Sequence, residues 1–251
     1  MQKEEQLLAK RLIELSSNAY HRGIVTYSDF LNLNELNILH SIPKVELSCR
    51  YETFGGYELS ERQMVAFIPD ALYCEINYPM VPIKASPLYP KYAEELTHRD
   101  YLGAILNLGI NRNKVGDILV NEKEAVIFAH ASLQKFFLDE LTKVRHTLIQ
   151  TDIIEYDQFS FQPKFEEIKG TVASIRLDSL LALAFPASRS KMTTVIEAAR
   201  VFVNGRLITS NGYQLHEGDI VSVRQMGKFK YIGMLTKTKK NRIFVTIHKY
   251  I

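Results

Sequence analysis

The clearest candidate for chemistry is a polar run, Ser188-Arg189-Ser190-Lys191, that directly precedes the apolar positions of a short helix. Ser188 stands where a helix N-cap belongs, so Arg189 and Lys191 fall in the first helical turn. The helix macrodipole favours anions there by about 0.3 to 1 kcal/mol, so two cations are unfavourable unless an anion neutralises them. Free backbone N–H groups and the hydroxyls of Ser188 and Ser190 add hydrogen-bond donors. The run therefore predicts a phosphate-binding surface.

Asp178 offers a second interpretation of the same cations. It lies in the preceding helical segment, Arg176-Leu177-Asp178, and its carboxylate could pair with Arg189 to fasten two helices together. The two roles are compatible, because an arginine oriented by Asp178 can also face a phosphate.

Short strands follow the two helices. Asn204-Gly205 separates two strand segments within residues 201–208 and is a strong hairpin signal, because both residue types tolerate positive φ. In residues 220–224 apolar and polar residues alternate, which places Arg224 on the polar face of a strand. Two further strands, 229–235 and 243–250, are joined by a segment with four cations, Lys237, Lys239, Lys240 and Arg242. That segment either prevents edge pairing or contacts phosphates.

The charge distribution supports a polyanion as the partner of this end of the chain. From Thr171 onward, 13 Lys and Arg stand against 4 Asp and Glu, a net charge of +9. The first 170 residues have 18 basic and 24 acidic residues, a net charge of −6. Such an asymmetry is typical of a chain in which one end contacts a nucleic acid.

The order of predicted elements indicates an α+β protein of three small domains. Residues 1–80 form a helical N-terminal domain with some strands, and residues 81–152 follow the order β-α-β-β-α-β of a ferredoxin-like plait. Residues 153–170 are polar and lack clear periodicity, which predicts a linker before the basic domain at 171–251. In the plait, His98, Arg99, Arg112 and Lys114 are candidates for a second RNA-binding site.

The basic segment resembles the αL RNA-binding motif of S-four-type domains, which pseudouridine synthases and tyrosyl-tRNA synthetases share. The matching blocks are residues 176–178, 188–191, 203–205, 218–224 and 227–229. The resemblance implies RNA contacts by Arg176, Ser188, Arg189, Lys191, Asn204 and Arg224, and structural roles for Asp178 and Gly205. Ser190, Lys228 and Lys230 are further RNA-binding candidates of this segment.

The chain departs from this pattern at two places. Ala199-Arg200 stands where a Gly-Lys pair is common, and Gln225 stands where Gly often follows the arginine. Arg200 is therefore an RNA-binding candidate whose role is in doubt.

The whole chain is similar to the YlmH-type RNA-binding proteins, which have a helical N-terminal domain, a plait and an αL domain. Residues 97–103, 108–112 and 116–118 fit the plait of that family. The resemblance implies a non-enzymatic protein that binds ribosomal RNA, with tRNA as a further partner. It also implies that the protein acts in ribosome quality control, where it binds a large ribosomal subunit that still holds peptidyl-tRNA. We expect a monomer.

Other function classes find little support. No apolar stretch reaches the ~20 residues of a membrane span, and Cys49 and Cys74 are too few for a disulfide framework, so we expect a cytoplasmic protein. No metal-ligand spacing or cofactor motif is present, and we expect neither a metal nor a cofactor. Two alternatives stay open: an RNA-modifying enzyme or its guide subunit, and a protein adaptor linked to cell division. A double reversal of Arg189 and Lys191 to Glu is expected to abolish RNA binding with thermal unfolding almost unchanged.

Overall fold

The computed structural model describes residues 3–70, 76–156, 164–238 and 242–250, in two compact units, Met1–Phe161 and Gln162–Ile251. The first unit begins with α1 (Lys3–Arg22), β1 (Thr26–Tyr27), α2 (Leu33–Ser41), β2 (Arg50–Phe54) and β3 (Met64–Ile68). The strands form an antiparallel sheet in the order β1-β3-β2. Leu12 of α1 and Leu36 and Leu39 of α2 pack with Val65 and Phe67 of β3 in one core cluster. The predicted helical start of the chain is thus present.

The rest of the first unit is the predicted plait. Its elements are β4 (Met80–Pro87), α3 (His98–Asn107), β5 (Val115–Asn121), β6 (Glu124–His130), α4 (Gln134–Glu140), β7 (Lys143–Val144) and β8 (Thr147–Ile153). The antiparallel sheet has the order β5-β6-β4-β8-β7, the ferredoxin-like arrangement with the short β7 added at one edge. Tyr101 and Ile105 of α3 and Phe137 of α4 share one core with Ile83 and Ile127. The predicted α+β fold is confirmed.

Residues 1–80 and 81–152, expected as separate domains, lie in one compact unit. Phe30 and Met64 pack with Met80 and Phe128 in a core cluster that crosses the expected boundary. Arg62 adds polar contacts across it, because its side chain donates to the backbone oxygens of Val115 (2.9 Å) and Arg112 (3.2 Å). The apolar patterns of both segments are visible in the sequence, but which faces meet is decided by the tertiary structure.

The second unit is a six-stranded antiparallel sheet with two helices packed against one face. Its elements are β9 (Phe165–Val172), α5 (Leu177–Ala184), α6 (Arg189–Glu197), β10 (Val201–Val203), β11 (Arg206–Leu207), β12 (Ile220–Val223), β13 (Gly227–Lys237) and β14 (Ile243–Tyr250). The strand order is β11-β10-β12-β13-β14-β9. Leu180 and Ile196 of the helices lie in one core cluster with Val221, Phe229 and Ile247 of the sheet.

Strand β9 occupies part of the expected linker, 153–170. It pairs with β14 along its whole length, from Phe165↔Tyr250 to Val172↔Ile243. Because β9 is an edge strand whose side chains are mostly exposed, it lacks the apolar alternation by which strands are recognised in sequence. Residues 157–163 of the expected linker lie outside the described residues.

Candidate nucleic-acid interface

The carboxylate of Asp178 joins the starts of helices α5 and α6. Its Oδ2 accepts a hydrogen bond from Arg189 Nη2 at 2.5 Å, and its Oδ1 lies 3.2 Å from Arg176 Nε. The Asp178 side chain is only 5% exposed, whereas those of Arg176 and Arg189 are 36% and 51% exposed. The two guanidiniums are therefore anchored at one end and open to solvent at the other.

The charge state of Asp178 follows from this arrangement. Burial opposes its ionisation, but the hydrogen bond and charge of Arg189, with the charge of Arg176, outweigh it and lower the pKa of Asp178. Asp178 is thus ionised at neutral pH and holds both cations. The Asp178–Arg189 pair, which the sequence suggested as a link between the two helices, is present. It leaves about half of the Arg189 side chain exposed to solvent, where a ligand could reach it.

Ser188 is the N-cap of α6, as predicted, and its Oγ accepts a hydrogen bond from the Lys191 N–H at 3.3 Å. The Ser188 and Ser190 hydroxyls lie 3.0 Å apart, and both residues are exposed. Lys191 is exposed too, and its ammonium has no ion pair within the described parts of the chain. We call Arg176, Ser188, Arg189, Ser190 and Lys191 the α6 surface.

The geometry corrects the expected behaviour of the Arg189 and Lys191 double reversal. A glutamate at position 189 would place a second carboxylate beside the buried Asp178, which costs stability because like charges repel in a poorly hydrated site. Thermal unfolding would change as well as binding. Lys191→Glu alone probes the same surface without disturbing Asp178.

The Asn204-Gly205 turn forms as predicted, with φ of +48° at Asn204 and +77° at Gly205. Asn204 is one of the predicted RNA-binding residues, but its amide is engaged within the fold. Its Nδ2 donates to Asp219 Oδ1 at 2.8 Å, and its Oδ1 accepts from the Ile220 N–H at 2.9 Å. Asn204 thus holds the hairpin against the following turn.

Arg200 and Arg224 lie next to each other at the ends of β10 and β12. Arg200 Nη2 donates to the Arg224 backbone oxygen at 2.8 Å and to Gln225 Oε1 at 3.0 Å. The Arg224 guanidinium lies over the ring of the buried Phe202, 5.4 Å from its centroid. Arg200 thus holds the Arg224–Gln225 backbone in place. This contact gives Arg200, whose role the sequence left in doubt, a positioning role.

The two departures from the αL pattern coincide with backbone strain. Ala199 has φ of +56° and Gln225 has φ of +64°, both in the left-handed region that favours glycine. Sequence reasoning missed that Phe202 lies under the Arg224 guanidinium and that Gln225 accepts a hydrogen bond from Arg200. The only signal for Gln225 was its place where glycine is common.

Lys228 and Lys230 project from the other face of the sheet. They alternate along β13 with Phe229 and Tyr231, which are buried in the core beneath α5 and α6. In the register of the sheet, Lys228 lies opposite Ser222. The predicted RNA-binding residues therefore divide between the α6 surface and the helix-free face of the sheet.

The four residues of the predicted second site have different surroundings. The Lys114 ammonium pairs with Asp29 at 2.5 Å, and Arg112 Nη1 donates to the backbone oxygens of Val115 (2.5 Å) and Gly116 (3.1 Å). Partial burial and the Arg112 charge lower the pKa of His98, so its imidazole is neutral at pH 7. Of the four, Arg99 keeps an exposed cation without an ion pair in the described structure.

The described residues offer little support for other kinds of site. Within residues 3–70, 76–156, 164–238 and 242–250, no three His, Cys, Asp or Glu side chains are placed to hold a metal ion. None of the described helices combines the length and apolarity needed to cross a membrane. Cys49 is buried with a free thiol, and Cys74 lies outside the described residues.

Comparisons with known proteins agree with this architecture. A family model described as "Putative RNA-binding domain in YlmH" matches residues 83–158, and a model described as "S4 domain" matches residues 175–221. "Ribosome-associated protein quality control protein P2" of Bacillus subtilis (strain 168) is 25% identical over 252 residues, covering 98% of this chain and 96% of that protein.

A solved structure, "Cell division protein ylmH from Streptococcus pneumoniae", is similar with a TM-score of 0.52 at 23% identity. The matched region covers 63% of this chain and 95% of the Streptococcus chain, and the similarity concerns the fold alone. The first family model covers most of the plait. The second begins between β9 and α5 and ends within β12. The chain thus contains a YlmH-type RNA-binding domain followed by an S4 domain, in the order that the sequence predicted.

Proposed function

We propose that this protein binds structured RNA on the ribosome, on a large subunit that still holds peptidyl-tRNA, and acts there without catalysis. The name of the Bacillus relative, a ribosome-associated quality control protein aligned over nearly the whole chain, supports the ribosome as the partner. The family resemblance supports the large subunit and the peptidyl-tRNA. A cytoplasmic, monomeric protein would suit this task.

The observation that carries the proposal is the shared anchoring of Arg176 and Arg189 on Asp178. Because one buried carboxylate fixes both guanidiniums, less side-chain freedom is lost when they meet a phosphate. Lys191 and the two serine hydroxyls add donors at the same helix start. Such an arrangement reads the shape of a folded RNA backbone rather than its base sequence.

Co-sedimentation with separated ribosomal subunits tests the proposal. The wild-type chain and the variants Lys191→Glu and Arg189→Gln are sedimented with each subunit at low and at moderate salt. Lys44→Glu is the matched control for Lys191→Glu, because Lys44 is an exposed cation of the other unit and its reversal changes the net charge by the same amount. We expect wild type and control to sediment with the large subunit, and the α6-surface variants to stay in the supernatant.

Two outcomes would contradict the proposal. Wild type that sediments with neither subunit excludes ribosome binding and favours a protein partner. Binding of Lys191→Glu and Arg189→Gln at the wild-type level would show that the α6 surface is not the interface.

A further inference from the structure

We propose that a groove on the plait, between α3 and the β7–β8 turn, contacts one or two backbone phosphates of the same RNA that the α6 surface binds. This inference rests on the proposed function and adds a binding site to it. The groove has a volume of about 510 Å³, and its lining includes Arg99, Gly103, Lys143 and Arg145. Three different elements, α3, β7 and the β7–β8 turn, thus contribute cations to it.

The cations of the groove are available to a ligand. Arg99 and Lys143 have no ion pair in the described structure, and both are exposed. Arg145 lies 3.6 Å from Asp100, but its side chain is 56% exposed, and a long, exposed ion pair contributes little to stability. Asp100 Oδ2 accepts hydrogen bonds from the Thr97 N–H at 2.8 Å and the Thr97 hydroxyl at 2.7 Å, and both remain when Arg145 leaves Oδ1, so Asp100 keeps two partners. Arg145 can therefore turn to a phosphate at little cost.

The backbone of Arg145 points to a role beyond folding. It has φ of +51° in the turn between β7 and β8, a left-handed conformation that glycine or asparagine would adopt with less strain. Backbone strain of this kind clusters where a side chain must be presented to a ligand. An arginine at position 145 strains the backbone of the turn, but it places a cation at the groove.

Gly103 provides an open floor in the groove. It lies inside α3, where glycine is less favourable than alanine, yet a Cβ at this position would meet no atom within 4 Å. Packing within the protein therefore does not require a glycine here. Its lack of a side chain lets a ligand approach the helix backbone closely.

The acidic side chains of the groove limit what it binds. Asp100 and Glu140 also line it, so its five charged residues carry a net charge of +1. This charge suits one or two phosphodiester groups of a strand that crosses the groove, and it is too small for a compact ligand with several charges, such as a nucleoside triphosphate. RNA already held by the other unit supplies such a strand.

The test compares neutralised variants of the full chain for binding to RNA extracted from purified large ribosomal subunits. The variants are Arg99→Gln/Lys143→Gln for the groove and Lys191→Gln for the α6 surface, with Lys10→Gln/Lys44→Gln as a control on exposed cations elsewhere in the first unit. Affinity is measured against salt concentration, since each phosphate contact adds roughly 0.7 to 0.9 to the slope of log affinity against log salt. For one or two phosphate contacts, we expect the groove variant to lose roughly 0.7 to 1.8 units of slope, and the control none.

A second variant separates the groove's shape from its charge. Gly103→Leu fills the floor without changing any charge, and leucine is a better helix former than glycine, so the variant should fold at least as well. We expect weaker RNA binding with a thermal midpoint equal to or above that of wild type. A groove variant and a Gly103→Leu variant that both bind like wild type would overturn the groove site while Lys191→Gln still weakens binding. Wild type that does not bind the RNA would overturn the proposed function itself, and the groove site with it.

Discussion

Arg189 Nη2 of helix α6 donates a hydrogen bond at 2.5 Å to the buried Asp178 carboxylate of helix α5. We expect this contact to couple stability and RNA binding in the second unit, because the same arginine supports the helix pair and leaves half of its side chain exposed to solvent. Changes at Asp178 should therefore affect both properties, whereas changes at Lys191 should affect binding alone.

Asp178→Asn should destabilise the second unit and weaken RNA binding together. The variant keeps the shape of the side chain but removes the charge that holds Arg176 and Arg189. Hydrogen bonds to charged groups contribute about 1.5 to 3 kcal/mol, and the exposure of both arginines places the expected loss near the lower value. Denaturant unfolding and RNA titration of the same preparation measure the two effects. Unchanged stability would show that Asp178 does not hold the helix pair.

The contribution of Asp178 to stability should depend on pH in one direction. Its pKa is lower in the folded chain than its ordinary value near 3.9, so its contribution is fully present above about pH 5. It falls as the pH drops below about 4 and disappears once the pH is below the lowered pKa. The difference in thermal midpoint between wild type and Asp178→Asn should therefore be constant from pH 7 to pH 5 and shrink at lower pH. A difference that grows on acidification would contradict the assigned pKa direction.

Ala199→Gly should stabilise the chain. Ala199 has φ of +56°, where an L side chain costs about 1 to 2 kcal/mol, although glycine returns part of this gain through its greater freedom in the unfolded chain. We expect a net gain of about 0.5 to 1 kcal/mol in the free energy of unfolding, measured by urea denaturation. Gly218→Ala is the matched inverse: Gly218 has φ of +90°, so the same chemical change in reverse should destabilise.

Arg200 and Arg224 should respond differently to salt. We predict that Arg224 contacts a phosphate, so Arg224→Gln should lower the slope of log affinity against log salt by roughly 0.7 to 0.9. Arg200→Gln removes the hydrogen bonds that hold the Arg224–Gln225 segment, so affinity should fall while the slope stays unchanged. Equal loss of slope in both variants would assign Arg200 a direct phosphate contact instead.

Phe30→Ala should unfold both halves of the first unit in one transition. Phe30 is fully buried in the cluster that joins residues before and after position 80, and large-to-small changes at such sites cost about 3 to 5 kcal/mol. We expect a lower thermal midpoint, with the N-terminal helices and the plait unfolding together. Hydrogen exchange of the amides in α1 and β6 measures whether both lose protection at the same point. Loss of α1 protection alone, with β6 protected as in wild type, would show two independent domains.

Features with a short-range cause could be predicted from the sequence. The plait order follows from alternation in its strands and the periodicity of its helices, and the Ser188 cap and the Asn204-Gly205 hairpin follow from residues a few positions apart. These features depend on local sterics and hydrogen bonds, so they can be recognised without knowing the rest of the fold. The RNA-binding character of the basic end was indicated by its net charge and by its resemblance to the αL motif.

Other features depend on which distant surfaces meet, and only the tertiary structure decided them. The shared core of Phe30 and Phe128 joined two expected domains, and the polar edge strand β9 was recruited by pairing with β14. The groove brings Arg99 to Lys143 and Arg145, although local patterns had grouped Arg99 with Arg112 and Lys114. Sequence reveals where cations stand along the chain. Which of them keep a free charge is settled by the carboxylates and carbonyls that folding places beside them.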